Sequence, residues 1–213
     1  MGTYIKGIHG GTSGKVGNVI GAHWKDIDYW RSLSRKSNKP ATQLQLDVRF
    51  IFGMVRAFLK PVKGLIKMGY ASAKSQTPMN AAIAYTISKG VTGVSPNFII
   101  NYEKVKFSTG PLDAPTGTDA MTTDPASVGV TWLPAAVNLG DNKPTDKAVV
   151  LIYNPTQNAY VMSDTAAVRS ALTASVTVPG YFSGDLVHVW LLFMDAAGKR
   201  LSDSVHAGAV TVQ

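Results

Sequence analysis

The sequence predicts an α+β protein: a Gly-rich β-hairpin arm and a helical hairpin, followed by an immunoglobulin- or fibronectin-like β-sandwich. Three observations predict it. Seven glycines crowd residues 2–21. Two stretches between residues 42 and 90 carry helix-start signals and apolar residues at helical spacing. Six short apolar runs, separated by turn residues, fill residues 126–213.

The arm comes first. Glycine costs backbone entropy, so its density in residues 2–21 points to turns, bulges or the close approach of another backbone. Short strands are expected around the turn Gly10-Gly11-Thr12-Ser13-Gly14. A strand over residues 15–24 follows, then a turn near Lys25-Asp26 and a return over 27–32. An arm this thin does not fold alone and needs a surface, from its own chain or a neighbour's. Gly10, Gly14, Val16, Val19, Trp24 and Trp30 are the residues expected to meet it. Trp24, Tyr29 and Trp30 are interleaved with Lys25, Arg31, Arg35 and Lys36, and aromatics mixed with cations can stack bases and hold phosphates. Those four cations are the candidate nucleic-acid contacts. The plainer reading packs the aromatics on the following helix and leaves the charges in water. Residues 33–40 are a basic polar linker that closes a first segment, residues 1–40.

A helical region of residues 41–107 comes next. Thr42 and Gln45 have the spacing of a capping box. Leu46, Phe50, Val55, Phe58, Leu59, Val62, Leu65 and Ile66 follow in helical register and are the expected core. Pro61 should break or restart the helix, and Gly69 should stop it. Thr77-Pro78 announces a second helix that ends at Gly90. Residues 97–107 alternate enough to form one strand. The Pro-, Gly-, Thr- and Asp-rich stretch 108–125 reads as the linker between domains. Strands are then expected at 127–133, 147–154, 158–163, 171–178, 185–194 and 204–212, with Trp132 and Trp190 as core anchors.

Charge divides the chain at about its middle. Residues 1–106 hold 16 Lys and Arg against 4 Asp and Glu, a balance of +12; residues 107–213 hold 5 against 9, a balance of −4. A basic half can face nucleic acid, an anionic surface or the acidic half of a neighbouring copy. Only 16% of residues are charged, which leaves neutral surface for a partner to cover.

Catalytic patterns fail one by one. With no cysteine there is no disulfide, thiolate or Cys-held metal. Gly14-Lys15 resembles the end of a phosphate-binding loop, but His9 stands where its first glycine belongs and Val16 where its hydroxyl belongs. His9, His23, His188 and His206 show no metal-ligand spacing, Glu103 is the single glutamate, and no G-x-S-x-G elbow occurs. No enzyme, cofactor, metal or small-molecule substrate is expected. The N-terminus lacks the apolar stretch of a secretion signal and no run is long enough to cross a bilayer. The expected chain has no membrane span and is made in a cytoplasm without a cleaved signal.

From Gly7 to Gly69 the chain resembles an uncharacterised family of Bacteroidota proteins defined as a domain of unknown function. The likeness rests on the segment Gly10 to Gly21 and on N-P-x-T-x-x-Q-x-x-x-R, read here from Pro40 through Thr42 and Gln45 to Arg49. Lys39 replaces the motif's asparagine, and Asn38 lies one place earlier. Phe58-Leu59-Lys60-Pro61 and Thr77-Pro78-Met79-Asn80 extend the likeness. A looser resemblance, to small proteins found among phage virion genes, implies a structural subunit of a virion or filament. Three roles are thus expected: a subunit joined to copies of itself or other structural proteins through the arm, a nucleic-acid-binding module, or a carbohydrate- or cell-surface-binding sandwich using Tyr160 or Tyr181.

Overall fold

The computed structural model describes residues 2–3, 13–25, 27–35, 38–73, 75–134 and 142–213. The chain divides into two compact units, Met1–Thr42 and Gln43–Gln213.

The first unit is an antiparallel sheet of β1 (Gly2–Thr3), β2 (Gly14–Val16), β3 (Val19–Trp24) and β4 (Ile27–Ser32), in the order β1-β4-β3-β2. Gly17, at φ 60°, sits in the two-residue turn between β2 and β3, where a positive φ suits the twist of the flanking strands. Most of the turn expected at Gly10 to Gly14 lies outside the described residues, as do Gly10 and Lys36 themselves.

The second unit opens with α1 (Gln43–Leu59) and α2 (Lys63–Gly69), divided where Pro61 has no N–H to donate. α3 (Pro78–Tyr85) is capped by Thr77, whose Oγ1 accepts from the Asn80 N–H at 3.3 Å, and it runs on as a π turn to Gly90. A hairpin of β5 (Val91–Val94) and β6 (Asn97–Ile100) follows. The single strand expected over 97–107 therefore stops at Ile100. Asn101 turns the chain there, its side chain accepting from the Glu103 N–H at 3.1 Å. Seven strands complete the chain: β7 (Thr116–Asp124), β8 (Ser127–Leu133), β9 (Lys147–Asn154), β10 (Ala159–Val168), β11 (Thr173–Thr177), β12 (Leu186–Met194) and β13 (Val205–Thr211). They form two antiparallel sheets, β10-β9-β12-β13 and β11-β8-β7, the division of a fibronectin- or immunoglobulin-like sandwich.

The four-stranded sheet is apolar on both sides and is the middle of three layers. Along β9, Val149, Leu151 and Tyr153 point to the helices, and Ala148, Val150 and Ile152 point to the three-stranded sheet. β12 divides the same way. Trp190, Leu192 and Met194 join Val55, Phe58, Leu59 and Ile66 in one core; Val187, Val189, Leu191 and Phe193 join Val128, Val130 and Trp132 in the other.

This corrects the two-domain expectation. Residues 108–125, read as a linker, begin inside the body. Phe107 and Ser108 are fully buried, the Ser108 hydroxyl donates to the Ser202 carbonyl at 2.6 Å, and the Gly110 N–H donates to Asp203 at 3.1 Å. The same stretch then supplies β7, a strand of the sandwich. Its polar composition suits a strand with little apolar side chain to bury.

Candidate assembly surface

Pairing register assigns every strand residue of the first unit to a face. Opposite residues share a face, and neighbours along a strand alternate. Val19, Gly21 and His23 lie opposite Ser32, Trp30 and Asp28, with Val16 and Gly14 across the other edge of β3. The second face carries Ile20, Ala22 and Trp24 opposite Arg31, Tyr29 and Ile27. The expected contact residues are thus divided: Gly14, Val16, Val19 and Trp30 are on one face and Trp24 is on the other. One partner lying flat against the sheet meets one set only.

Among the described residues of 1–42 only Gly21 is buried, and none belongs to either apolar core. Val16, Val19, Trp24 and Ile27 are exposed. His23 Nδ1 and Asp28 Oδ1 meet at 2.7 Å on the first face. The three candidate nucleic-acid contacts among the described residues, Lys25, Arg31 and Arg35, are spread along the sheet. Lys25 is in the β3–β4 turn, its Nζ 4.9 Å from the centre of the Trp24 ring. Arg31 is opposite Ile20, four residues further along the ladder, or about 13 Å away at the usual rise of a strand. Arg35 is beyond the end of β4.

The second unit has its own uncovered apolar surface. Leu44, Val48 and Phe52 are 77%, 66% and 44% exposed, and they continue the stripe that becomes fully buried at Val55 and Leu59. Leu46 and Phe50, expected in the core, are 47% and 55% exposed. The reason is phase: Leu46 and Phe50 stand nine and five residues before Val55, about 180° and 140° away round the helix, and so lie off the buried stripe. Phe50 meets Phe98 at 6.3 Å between ring centres, and the Ser95 hydroxyl donates to Asp47 at 2.9 Å, where Gln43 also donates at 2.7 Å.

A chemical site has to be sought in the clefts. One, of about 670 Å³, is lined by Tyr85, Lys89, Glu103, Lys106 and His206. Behind it His188 Nδ1 lies 3.2 Å from His206 Nε2, a pair that helical spacing does not foretell and that the β12–β13 pairing creates. Burial lowers the pKa of both, and the neighbouring His206 helps bring His188 to about 4. Both rings are therefore neutral at pH 7, with one N–H to share. Lys106 is held by Asp203 at 2.7 Å. Among the described residues there is no group of three His, Asp or Glu that could hold a metal ion. Of the aromatics considered for glycan contact, Tyr181 is exposed. Tyr160 is not, since its hydroxyl donates to the Phe58 carbonyl at 2.9 Å and burial pushes its pKa far above the phenol range.

Comparison with known proteins adds the following. A family of unknown function, DUF6266, matches residues 11–208. No curated protein matches the sequence. Among solved structures, the fn3 domain of human collagen alpha-1(XX) chain is 18% identical, with a TM-score of 0.35, covering 49% of this chain and 89% of that one. Titin module A71 from human cardiac muscle is 14% identical, with a TM-score of 0.29, covering 48% and 91%. The twitchin kinase region from C. elegans is 12% identical, with a TM-score of 0.32, covering 48% and 17%. The sandwich rests on its own strand order and not on these likenesses. Among the described residues no helix is long and apolar enough to cross a membrane.

Proposed function

The chain belongs to the family of unknown function DUF6266, and from its geometry we propose a non-enzymatic structural subunit of a larger assembly, such as a phage-like virion or filament, in which the Gly-rich N-terminal sheet lies on a neighbouring copy. One observation carries this reading: among its described residues the sheet pairs its backbone and buries only Gly21. Among the described residues of 1–42 none enters either apolar cluster, while Val16, Val19, Trp24 and Ile27 face water. Covering such a surface releases roughly 25 cal/mol for each Å² of apolar area, and a neighbour can extend the sheet by strand addition. The charge division supports a copy as the neighbour, because the half that contains the sheet carries +12 and the other half −4.

Mass photometry of the full chain, and of a chain lacking residues 1–32, tests this. The full chain should form oligomers and the truncated one should be a folded monomer. A full chain that stays monomeric at micromolar concentration, or a truncated chain that assembles equally well, overturns it.

A further inference from the structure

A second surface, in the other compact unit, goes beyond the assembly reading and is independent of it. Between residues 43 and 102 the sequence has seven Lys and Arg and a single acid, Asp47. Five of the cations, Arg49, Arg56, Lys60, Lys63 and Lys67, are on α1, α2 and the turn between them, and all five are exposed. The buried positions Val55, Phe58, Leu59, Val62, Leu65, Ile66 and Gly69 keep one helical phase straight across the break at Pro61. At 100° per residue the five cations then fall within about 60° of one another, on the side turned away from the core. They span 18 residues, or about 27 Å of helical rise. None of the five is in an ion pair among the described residues, and the carboxylate of Asp47 is occupied by Ser95 and Gln43. A solvated helix face ordinarily mixes both signs. This strip has one sign, and its charges follow one another at roughly a helical turn or two.

We propose that the α1–α2 strip binds the phosphodiester backbone of nucleic acid, without reading its sequence. A polyanion with regularly spaced charges fits a run of cations of one sign, and release of its counterions supplies the driving force. An anionic bilayer fits less well. Exposed apolar side chains on the side of α1 and α2 next to the strip stand only near its ends, Leu46 and Phe50 at one and Met68 at the other, with Gly53, Ala57 and Gly64 between them, so a membrane would find few side chains to take up along the cations.

Fluorescence anisotropy of the full chain with labelled single-stranded and duplex oligonucleotides of arbitrary sequence, over a range of salt, tests the proposal. Five phosphate contacts give a log–log salt slope of about −3.5 for the single strand and about −4.5 for the duplex. Replacing all five cations with glutamine keeps helix propensity and should lower affinity at least about tenfold and flatten the slope. Circular dichroism checks the fold, and if that variant does not fold, Lys60→Gln/Lys67→Gln should still reduce the slope by about 1.4 for the single strand and about 1.8 for the duplex. The variant Lys25→Gln/Arg31→Gln/Arg35→Gln, in the N-terminal sheet, should bind like the parent. The proposal is overturned by absent binding at low salt, by a five-glutamine variant that binds normally, or by binding lost only in the N-terminal variant. Phosphatidylserine vesicles that bind more tightly than the oligonucleotides through the same five residues would also overturn it, in favour of lipid.

Discussion

The Tyr160 hydroxyl donates to the Phe58 carbonyl at 2.9 Å, joining β10 to the last turn of α1 across 102 residues of chain. Carbonyls at a helix end lack their usual partner four residues on, so this one is satisfied from the sandwich. Phe58 also packs its ring on Tyr153, edge to face, at 5.1 Å. The helical layer is therefore pinned to the four-stranded sheet by packing and by polar geometry at the same place. Tyr160→Phe should keep the packing and lose the hydrogen bond, costing about 1–2 kcal/mol by urea unfolding with an unchanged m-value.

Two helical glycines separate by what surrounds them. A Cβ at Gly64 meets nothing within 4 Å, so Gly64→Ala should stabilise by about 0.5–1 kcal/mol. A Cβ at Gly69 would come 2.6 Å from the Ser108 Cβ and 2.8 Å from the Phe107 carbonyl. Gly69→Ala should destabilise by roughly 2 kcal/mol or more, because backbone must move. Thermal unfolding of the two variants should shift in opposite directions.

The division of the N-terminal sheet into two faces makes assembly testable face by face. Val16→Ser/Val19→Ser alters one face and Trp24→Ser/Ile27→Ser the other, with the ladder kept in both. If a neighbour covers one face, one variant should dissociate the oligomer in mass photometry and the other should leave it intact.

The His188–His206 pair makes stability depend on pH. Both folded pKa values lie below the usual 6.5, so the unfolded chain takes up protons first as pH falls. Stability from His188 is complete above about pH 6.5 and is lost as pH falls toward about 4. Allowing for its partial exposure, the loss is on the order of 1–2 kcal/mol. His188→Phe should remove this part of the pH dependence, seen as a flatter urea midpoint between pH 6.5 and pH 4.5 than in the parent.

Much of the fold was legible where side-chain pattern carries it. Thr77-Pro78 marked the start of α3, Pro61 the break after α1, and the runs 147–154 and 185–194 marked β9 and β12. Those two runs also held a signal that strand prediction does not use. Ala148 to Tyr153 is apolar without alternation, the mark of a strand buried on both faces, and it implies a third layer. Elsewhere the pattern misled. Thr116–Asp124 has the composition of a loop and forms an edge strand of its sheet. Leu46 and Phe50 are four residues apart yet exposed, because they stand about 180° and 140° round the helix from Val55, on a side the core does not reach. For the candidate surface, the residue types in the arm were readable but their faces were not, since face follows from strand register. The cation strip escaped notice because its coherence across Pro61 shows only when burial reveals that the phase is kept.

The doubly covered sheet has a consequence for how this protein can be divided. A piece cut at residue 113, which a strand count would offer as a free-standing module, would present Val149, Leu151, Trp190 and Leu192 to water along one whole side. Such a piece would clump instead of behaving as an interchangeable bead. The helices thus act as the sandwich's permanent lining, and gene fusions or truncations that respect this protein should keep everything from Gln43 onward as a single indivisible block.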